Sequence, residues 1–261
     1  MNWWGKLIGG GLGFMMGGPL GAIMGAAFGH QFDKGMHHLD QDIPAGNTQR
    51  TQAAFFTASF SVMGHIAKVD GQVSTSEIKL AELVMNQMQL TPDQRKAAIN
   101  LFNEGKQPDF PLDEVLQQFR KECHRRTSLL QMFMEILIST ALADGRIDQA
   151  EQSVIIHIGQ QLGFDESVIR QLIEMVRAQQ HYVNQPAQSH ATLEDAYSVL
   201  GIPSTITDSD LKKAYRRLMS QHHPDKLVSK GLPEEMIKLA TEKTQEIKAA
   251  YEQIKRTRKL H

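Results

Sequence analysis

Residues 7–29 contain no ionisable side chain, and this uncharged run constrains the fold more than any other feature of the chain. As a helix, the run would extend roughly 34 Å, which matches the apolar thickness of a bilayer. Trp3 and Trp4 precede it as interfacial aromatic residues, and His30, Asp33 and Lys34 follow it. The run therefore predicts a single transmembrane helix.

Within this run a glycine recurs at every fourth position. In water each glycine would disfavour a helix by roughly 1 kcal/mol relative to alanine, whereas in lipid a glycine stripe lets two helices pack closely. We therefore predict a homodimer that packs through Gly9, Gly13, Gly17, Gly21, Gly25 and Gly29. Two alternatives stay open, a cleaved signal peptide and a flexible glycine-rich segment.

A helical domain is predicted between two polar connectors, residues 30–52 and 179–191. Apolar side chains recur there at helical spacing, and no segment reads convincingly as a strand. The predicted helices span residues 53–69, 74–89, 92–104, 111–124, 127–143, 149–162 and 166–179. The pattern predicts an all-α fold with a central bundle at residues 53–178, and the second connector should allow some movement between this bundle and residues 192–261.

The central bundle contains an internal repeat. A shift of the sequence by 74 residues superposes the pair Asp70-Gly71 on the pair Asp144-Gly145, together with the apolar and acidic residues that follow each pair. Each copy reads as a helix, an Asp-Gly turn and a second helix. The repeat predicts two helical hairpins with related packing.

The repeated acidic residues raise the question of a metal site. The Asp-Gly run is similar to the second half of an EF-hand loop, but the first ligand positions of the first copy would hold an isoleucine and a lysine. Capping boxes, Ser74 with Glu77 and Asp148 with Glu151, explain the same residues as helix starts. We predict no EF-hand metal; a site of another kind, built from acidic residues of both copies, stays open.

Residues 192–261 hold 13 Lys/Arg against 10 Asp/Glu, although the whole chain has a net charge of −1. Thr192 and Thr207 are predicted to cap two helices, and Pro233 is predicted to open a third that runs antiparallel to the second. A polar loop, residues 222–226, joins the second helix to the third. The second helix carries apolar residues on one face and, on the other, Lys212, Lys213, Arg216 and Arg217.

This region resembles the J-domain of the DnaJ family through three runs at the expected separations. These are Tyr215-Arg216-Arg217-Leu218, His223-Pro224-Asp225-Lys226 and Ala249-Ala250-Tyr251-Glu252. The resemblance implies that the protein docks on an acidic surface of a DnaK-type chaperone in its ATP-bound state and triggers ATP hydrolysis there. The chaperone-binding residues that it implies are His223, Pro224, Asp225, Lys226, Lys212, Lys213, Tyr215, Arg216 and Arg217.

Other chemical functions find little support in the sequence. No nucleophile–base constellation, phosphate-binding loop or metal set is recognisable, so we predict no enzymatic activity, no cofactor and no metal. The one cysteine, Cys123, excludes an internal disulfide and a multi-cysteine zinc site. With a net charge of −1, the chain gives no general reason to expect nucleic acid as a partner.

The repeated Asp-Gly unit resembles the TerB-like domain, a helical interaction module. The order of a glycine-rich anchor, this bundle and a terminal J-domain resembles the DjlA-type family of membrane-anchored DnaJ-like co-chaperones. That resemblance implies an inner-membrane protein with residues 1–6 in the periplasm and residues 30–261 in the cytoplasm, and a nucleotide-exchange factor as an indirect partner. The alternative function is a membrane scaffold or stress sensor, in which the bundle binds a ligand and residues 192–261 only recruit the chaperone.

Overall fold

The computed structural model describes residues 20, 23, 47–69, 82, 84–86, 88, 90–123, 126–142, 145–184 and 192–258. In these residues the structure is helical, which confirms the all-α prediction. The central bundle contains α1 (Asn47–Ile66), α2 (Pro92–Gly105), α3 (Leu112–Glu122), α4 (Thr127–Ala141), α5 (Gln149–Leu162) and α6 (Glu166–Asn184). The C-terminal part contains α7 (Leu193–Val199), α8 (Asp208–His222), α9 (Pro224–Ser229), a 3₁₀ turn (Glu234–Met236) and α10 (Ile237–Thr257).

The helices differ from the prediction mainly at the two connectors. Helix α1 begins at Asn47, six residues before the predicted start, and α6 continues to Asn184, five residues beyond the predicted end. Polar residues in the first turns of α1 contact a distant part of the chain: Arg50 donates to Glu122 Oε1 at 3.0 Å, and Thr51 donates to the Glu122 carbonyl oxygen at 3.0 Å. Composition does not reveal such contacts. Most of the predicted helix at residues 74–89 lies outside the described residues.

Side-chain caps fix where several helices begin. Thr91 and Gln94 form a capping box at the start of α2, and Asp148 and Glu151 form one at the start of α5. The second box confirms the capping interpretation of one copy of the repeat, and Gly145 precedes it with a φ of +92°. Ser74 and Glu77, Asp70 and Gly71, and Asp144 lie outside the described residues.

The core of the bundle is centred on three phenylalanines from three helices. The ring of Phe119 lies 4.6 Å from that of Phe133 and 5.8 Å from that of Phe55, measured between centroids. All three side chains are fully buried, and the Phe55 and Phe119 rings meet edge to face. Helices α1, α3 and α4 are thereby fixed to one another.

The C-terminal part has its own small core between α7, α8 and α10. Tyr215 on α8 stacks on Tyr251 on α10, with the ring centroids 4.1 Å apart. Arg258, which follows α10, donates hydrogen bonds to Tyr197 Oη at 2.7 Å and to Asp208 Oδ1 at 2.8 Å. Because the end of α10 meets the start of α8, the two helices are antiparallel, as predicted.

Two residues of the predicted transmembrane run are described, and both are buried against the bundle. Leu20 and Ile23 belong to the same apolar cluster as the bundle core, and the Leu20 backbone N–H donates to Gln118 Oε1 at 2.8 Å. Among the helices of the described residues, none is both long and apolar enough to cross a membrane. The predicted packing glycines lie outside the described residues: Gly9, Gly13, Gly17, Gly21, Gly25 and Gly29.

Candidate functional site

The His223-Pro224-Asp225 tripeptide lies at a sharp junction between α8 and α9. The proline disfavours helical geometry at the residue before it, and His223 is extended, with φ −60° and ψ +123°. Pro224 then opens α9, and the Nδ1 atom of His223 accepts a hydrogen bond from the Asp225 backbone N–H at 3.2 Å. The polar loop predicted at residues 222–226 is therefore a junction between two helices.

The hydrogen bond between His223 and the Asp225 backbone, which caps the start of α9, leaves the charged end of the tripeptide open to solvent. The Asp225 side chain is 90% exposed and that of His223 is 45% exposed. Because Nδ1 of His223 accepts a backbone hydrogen bond, a neutral ring would carry its proton on Nε2. The tripeptide thus presents a carboxylate and an imidazole N–H to a partner from a fixed backbone.

A basic surface lies beside the tripeptide. It consists of five exposed side chains: Lys212, Lys213, Arg216, Arg217 and Lys226. Lys213 Nζ lies 3.0 Å from Asp210 Oδ1, and this hydrogen bond lowers the pKa of Asp210. Lys226 Nζ donates to Ser220 Oγ at 2.8 Å, which ties α9 to α8. The surface keeps a net positive charge despite the pair with Asp210.

Tyr215, the other residue predicted to bind the chaperone, occupies a different environment. Its ring is half-buried in its stack on Tyr251, and burial raises the pKa of its hydroxyl. The ring therefore helps to set the spacing of α8 and α10 beneath the basic surface. Pro233, predicted at the first position of the third helix, instead precedes the 3₁₀ turn, and α10 begins only at Ile237.

Sequence reasoning missed a buried interdomain cluster directly behind the tripeptide. It consists of Glu135 on α4, His222 at the end of α8, and Lys243 and Glu246 on α10. Lys243 Nζ lies 3.1 Å from Glu135 Oε2, and His222 Nε2 lies 3.5 Å from Glu135 Oε1. The Glu135 and His222 side chains are only 4% and 2% exposed. A carboxylate from the bundle is thus paired inside the protein with the ammonium group of Lys243, and it lies beside the His222 ring, whose two nitrogens make no hydrogen bond.

Burial and charge act in different directions on the groups of this cluster. Burial lowers the pKa of His222, against the effect of Glu135, so the ring favours its neutral form. The pKa of Glu135 is also lowered: burial, the largest single influence, would raise it, but the effect of His222 when its ring is protonated, the charge of Lys243 and the hydrogen bond from Gln131 together outweigh burial. Burial raises the pKa of Glu246.

Further contacts join the bundle to the segment that follows the tripeptide. Arg126 donates to the Lys230 carbonyl oxygen at 2.6 Å, Lys230 Nζ donates to Ser128 Oγ at 3.0 Å, and Gln52 donates to the Leu232 carbonyl oxygen at 3.4 Å. The apolar residues of this segment belong to the same buried cluster as the bundle core: Leu227, Leu232, Met236 and Ala240. These contacts argue against the movement between the bundle and the C-terminal part that the second connector was predicted to allow.

Metal binding finds no support in the residues that the structure describes, where no three His, Cys, Asp or Glu side chains are grouped to hold an ion. Asp70 and Asp144, the repeated acidic residues, lie outside that part of the chain. The Asp148 and Glu151 carboxylates accept backbone hydrogen bonds at the start of α5.

Three protein families match successive parts of the chain. Residues 1–47 match the co-chaperone DjlA transmembrane domain, residues 56–174 match the tellurite resistance protein TerB family, and residues 195–260 match the DnaJ domain. These matches confirm the resemblances that the sequence motifs indicated, and the first supports membrane anchoring.

Curated relatives align over almost the whole chain. It is 45% identical to the co-chaperone protein DjlA of Shewanella oneidensis, covering 99% of each chain. It is 47% identical to the co-chaperone protein DjlA of Coxiella burnetii, covering 100% of each chain. The co-chaperone protein DjlA of Vibrio cholerae is 42% identical, with 98% of each chain covered. No solved structure matches the chain at a significant level.

Proposed function

Because the chain belongs to the DjlA family of co-chaperones, we propose that its J-domain stimulates ATP hydrolysis by a DnaK-type chaperone at the cytoplasmic face of the inner membrane. The observation that supports this most directly is the exposed His223–Asp225 tripeptide, which is held on a fixed backbone beside the basic surface. Hydrolysis itself takes place in the chaperone, and this protein regulates it.

The basic surface supplies the attraction in this proposal. Lys212, Lys213, Arg216, Arg217 and Lys226 approach an acidic surface of the chaperone, and each exposed pair contributes about 0.2–1 kcal/mol. Salt screens such pairs, so the complex should be transient and should weaken as ionic strength rises. His223 and Asp225 act as the trigger, Pro224 fixes their backbone, and Tyr215 supports the helix that carries the basic residues.

The experiment is single-turnover ATP hydrolysis by a DnaK-type chaperone, with the full-length protein in phospholipid nanodiscs. We expect stimulation by the wild-type protein and none by the His223→Gln or Asp225→Asn variants, with helical content unchanged. Retained stimulation by Asp225→Asn would refute the role of that carboxylate. Absence of stimulation by a folded wild-type protein would refute the proposed function.

The membrane arrangement is part of the proposal. Residues 7–29 cross the inner membrane once with residues 1–6 in the periplasm, residues 53–178 and 192–261 form the two cytoplasmic domains, and the glycine repeat packs two copies into a dimer. The structure buries Leu20 and Ile23 against the bundle, which a helix that spans the bilayer would not allow, so alkaline extraction of membranes distinguishes the two arrangements. Release of the protein into the supernatant would refute a spanning helix.

Two further measurements test topology and dimerisation. Added protease should digest the C-terminal domains in inverted membrane vesicles and spare them in right-side-out vesicles; the reverse pattern would refute the orientation. Replacement of Gly17 and Gly21 by isoleucine should reduce crosslinking between copies in native membranes, because larger side chains keep the helix backbones apart. Equal crosslinking would refute packing through the glycine repeat.

The proposal includes no nucleic-acid partner, and binding of duplex DNA at physiological salt would contradict that.

A membrane scaffold or sensor is the second candidate function, and the interdomain cluster is the observation that favours it. In this candidate the bundle binds a ligand and is joined to the J-domain through Glu135, which lies 3.5 Å from His222, while the J-domain only recruits the chaperone. In that case the protein should recruit the chaperone to nanodiscs without accelerating ATP hydrolysis. Acceleration by wild-type protein alone, with no added ligand, would exclude this second candidate.

A further inference from the structure

The tripeptide is held on both sides by residues buried at the junction of the two domains. His222 directly precedes it and is 1% exposed, and Leu227, two residues after Asp225, is fully buried. Between these two anchors, His223 and Asp225 remain open to solvent. Their position therefore depends on the contacts that His222 and Leu227 make beneath them.

The anchor at His222 includes a charge from the other domain. Glu135 is buried in the bundle, and a buried carboxylate is stable only when it is paired or hydrogen-bonded. Its partners are Lys243, whose Nζ lies 3.1 Å away, and Gln131, whose side chain donates to it at 2.9 Å. The buried His222 ring lies 3.5 Å from the same carboxylate without a hydrogen bond. Because Lys243 and His222 belong to the J-domain, the carboxylate holds α10 and the end of α8 against α4.

This docked arrangement leaves the recognition surface accessible. Lys212, Arg216, Asp225 and their basic neighbours are exposed while His222 and Leu227 are buried. The interface therefore does not cover the residues that would contact a chaperone, so we expect it to support the trigger and not to block it.

We infer that Glu135 is a positioning residue for the His223–Asp225 tripeptide, acting across the domain interface through His222 and Lys243. This inference rests on the proposed function, since it gives the TerB-like bundle a role in the stimulation of ATP hydrolysis. The basic surface binds the chaperone whether or not the cluster is intact, whereas the trigger works at full rate only when the cluster holds the tripeptide.

The test measures single-turnover ATP hydrolysis by a DnaK-type chaperone against the concentration of the full-length protein in nanodiscs. Glu135→Gln keeps the shape of the side chain and removes its charge. We expect maximal stimulation to fall about tenfold, the factor that corresponds to about 1.4 kcal/mol, with the half-saturating concentration unchanged. Glu135→Asp, which keeps the charge, should restore part of the maximum.

A purely structural effect would look different. Partial unfolding lowers the concentration of active protein, which raises the apparent half-saturating concentration and leaves the maximum unchanged. Glu166→Gln is the matched control, because it removes an exposed carboxylate of the bundle that pairs with Arg170 at 2.6 Å; it should behave as wild type. If Glu135→Gln does not fold, Lys243→Gln removes the J-domain charge that pairs with Glu135 at 3.1 Å and should also lower the maximum.

The outcomes separate this inference from the proposed function. Stimulation by wild type and none by His223→Gln supports the function, whatever Glu135→Gln does. If that result is obtained, a wild-type maximum for folded Glu135→Gln, or for Lys243→Gln where the first variant does not fold, would overturn the inference alone. A raised half-saturating concentration with an unchanged maximum would also overturn it. No stimulation by wild type would overturn both.

Discussion

Helices α1 and α2 cross so closely that only glycine fits at two positions of the crossing. A Cβ atom added at Gly105 would lie 1.7 Å from the carbonyl oxygen of Ser61, and one added at Gly64 would lie 2.0 Å from the carbonyl oxygen of Phe102. Both obstacles are backbone atoms of a packed helix, which cannot rotate away as a side chain can. An alanine at either position must therefore push the two helices apart.

The size of the effect follows from these distances. Real Cβ contacts are essentially never shorter than 3.0 Å, so alanine requires a displacement of at least 1.3 Å at position 105 and 1.0 Å at position 64. Overpacking typically costs about 1–3 kcal/mol, and an obstacle of backbone atoms argues for the upper end. Alanine favours a helix over glycine by up to about 1 kcal/mol. Each substitution should therefore lower the free energy of unfolding by about 2 kcal/mol.

Far-UV circular dichroism during thermal unfolding measures this effect, with every full-length variant in the same detergent. A loss of about 2 kcal/mol should lower the midpoint by about 4–8 °C in a chain of this size. Gly159→Ala is the control, since its new Cβ would meet side-chain atoms of Ile169 and no backbone atom, and its midpoint should fall less. A midpoint for Gly105→Ala equal to that of wild type would refute the reasoning from the helix crossing.

Three further predictions concern single side chains. Burial raises the pKa of the Cys123 thiol to about 12, so alkylation at pH 8 should be at least about a hundredfold slower in the native protein than in urea; equal rates would contradict burial of the thiol. Arg258→Ala removes hydrogen bonds that hold α7 and the start of α8, and it should destabilise the J-domain by about 1.5–3 kcal/mol in urea unfolding; an unchanged urea midpoint would contradict a role for these bonds. Because burial lowers the pKa of His222, the unfolded chain binds a proton at this ring at a higher pH than the folded protein does. The ring therefore lowers the free energy of unfolding as pH falls below about 6.5. The thermal midpoint should therefore fall more between pH 7.5 and 5.5 in wild type than in His222→Gln, while the raised pKa of Glu246 acts in the opposite direction closer to pH 4.5; equal slopes would contradict the buried neutral ring.

Local signals predicted much of the helical architecture. The start of α5 follows from Asp148 and Glu151, because a capping box satisfies backbone N–H groups within four residues of sequence and needs no distant partner. The antiparallel pair of α8 and α10 was also predicted from local signals, namely the apolar spacing along each helix. At the start of α1, where distant contacts decide the structure, the predicted helix begins six residues too late.

The short helix α9 was missed for a related reason. Residues 222–226 are polar, and polarity beside a proline is typical of a loop. The same proline can also begin a helix, and Leu227 is apolar because it is buried against the central bundle. Only the tertiary contact decides between these two interpretations.

Two features of the sequence indicate that residues of the interdomain cluster are buried. Glu135 is the only ionisable residue of α4, whose other side chains are largely apolar, and a lone charge on a buried helix requires a partner of opposite charge. His222 continues the apolar spacing of Leu211 and Leu218 along α8, so it faces the interior. The pattern thus predicts that each residue has a buried partner. It does not identify the partner, because the two residues lie 87 positions apart and only the docking of the J-domain on the bundle brings them together.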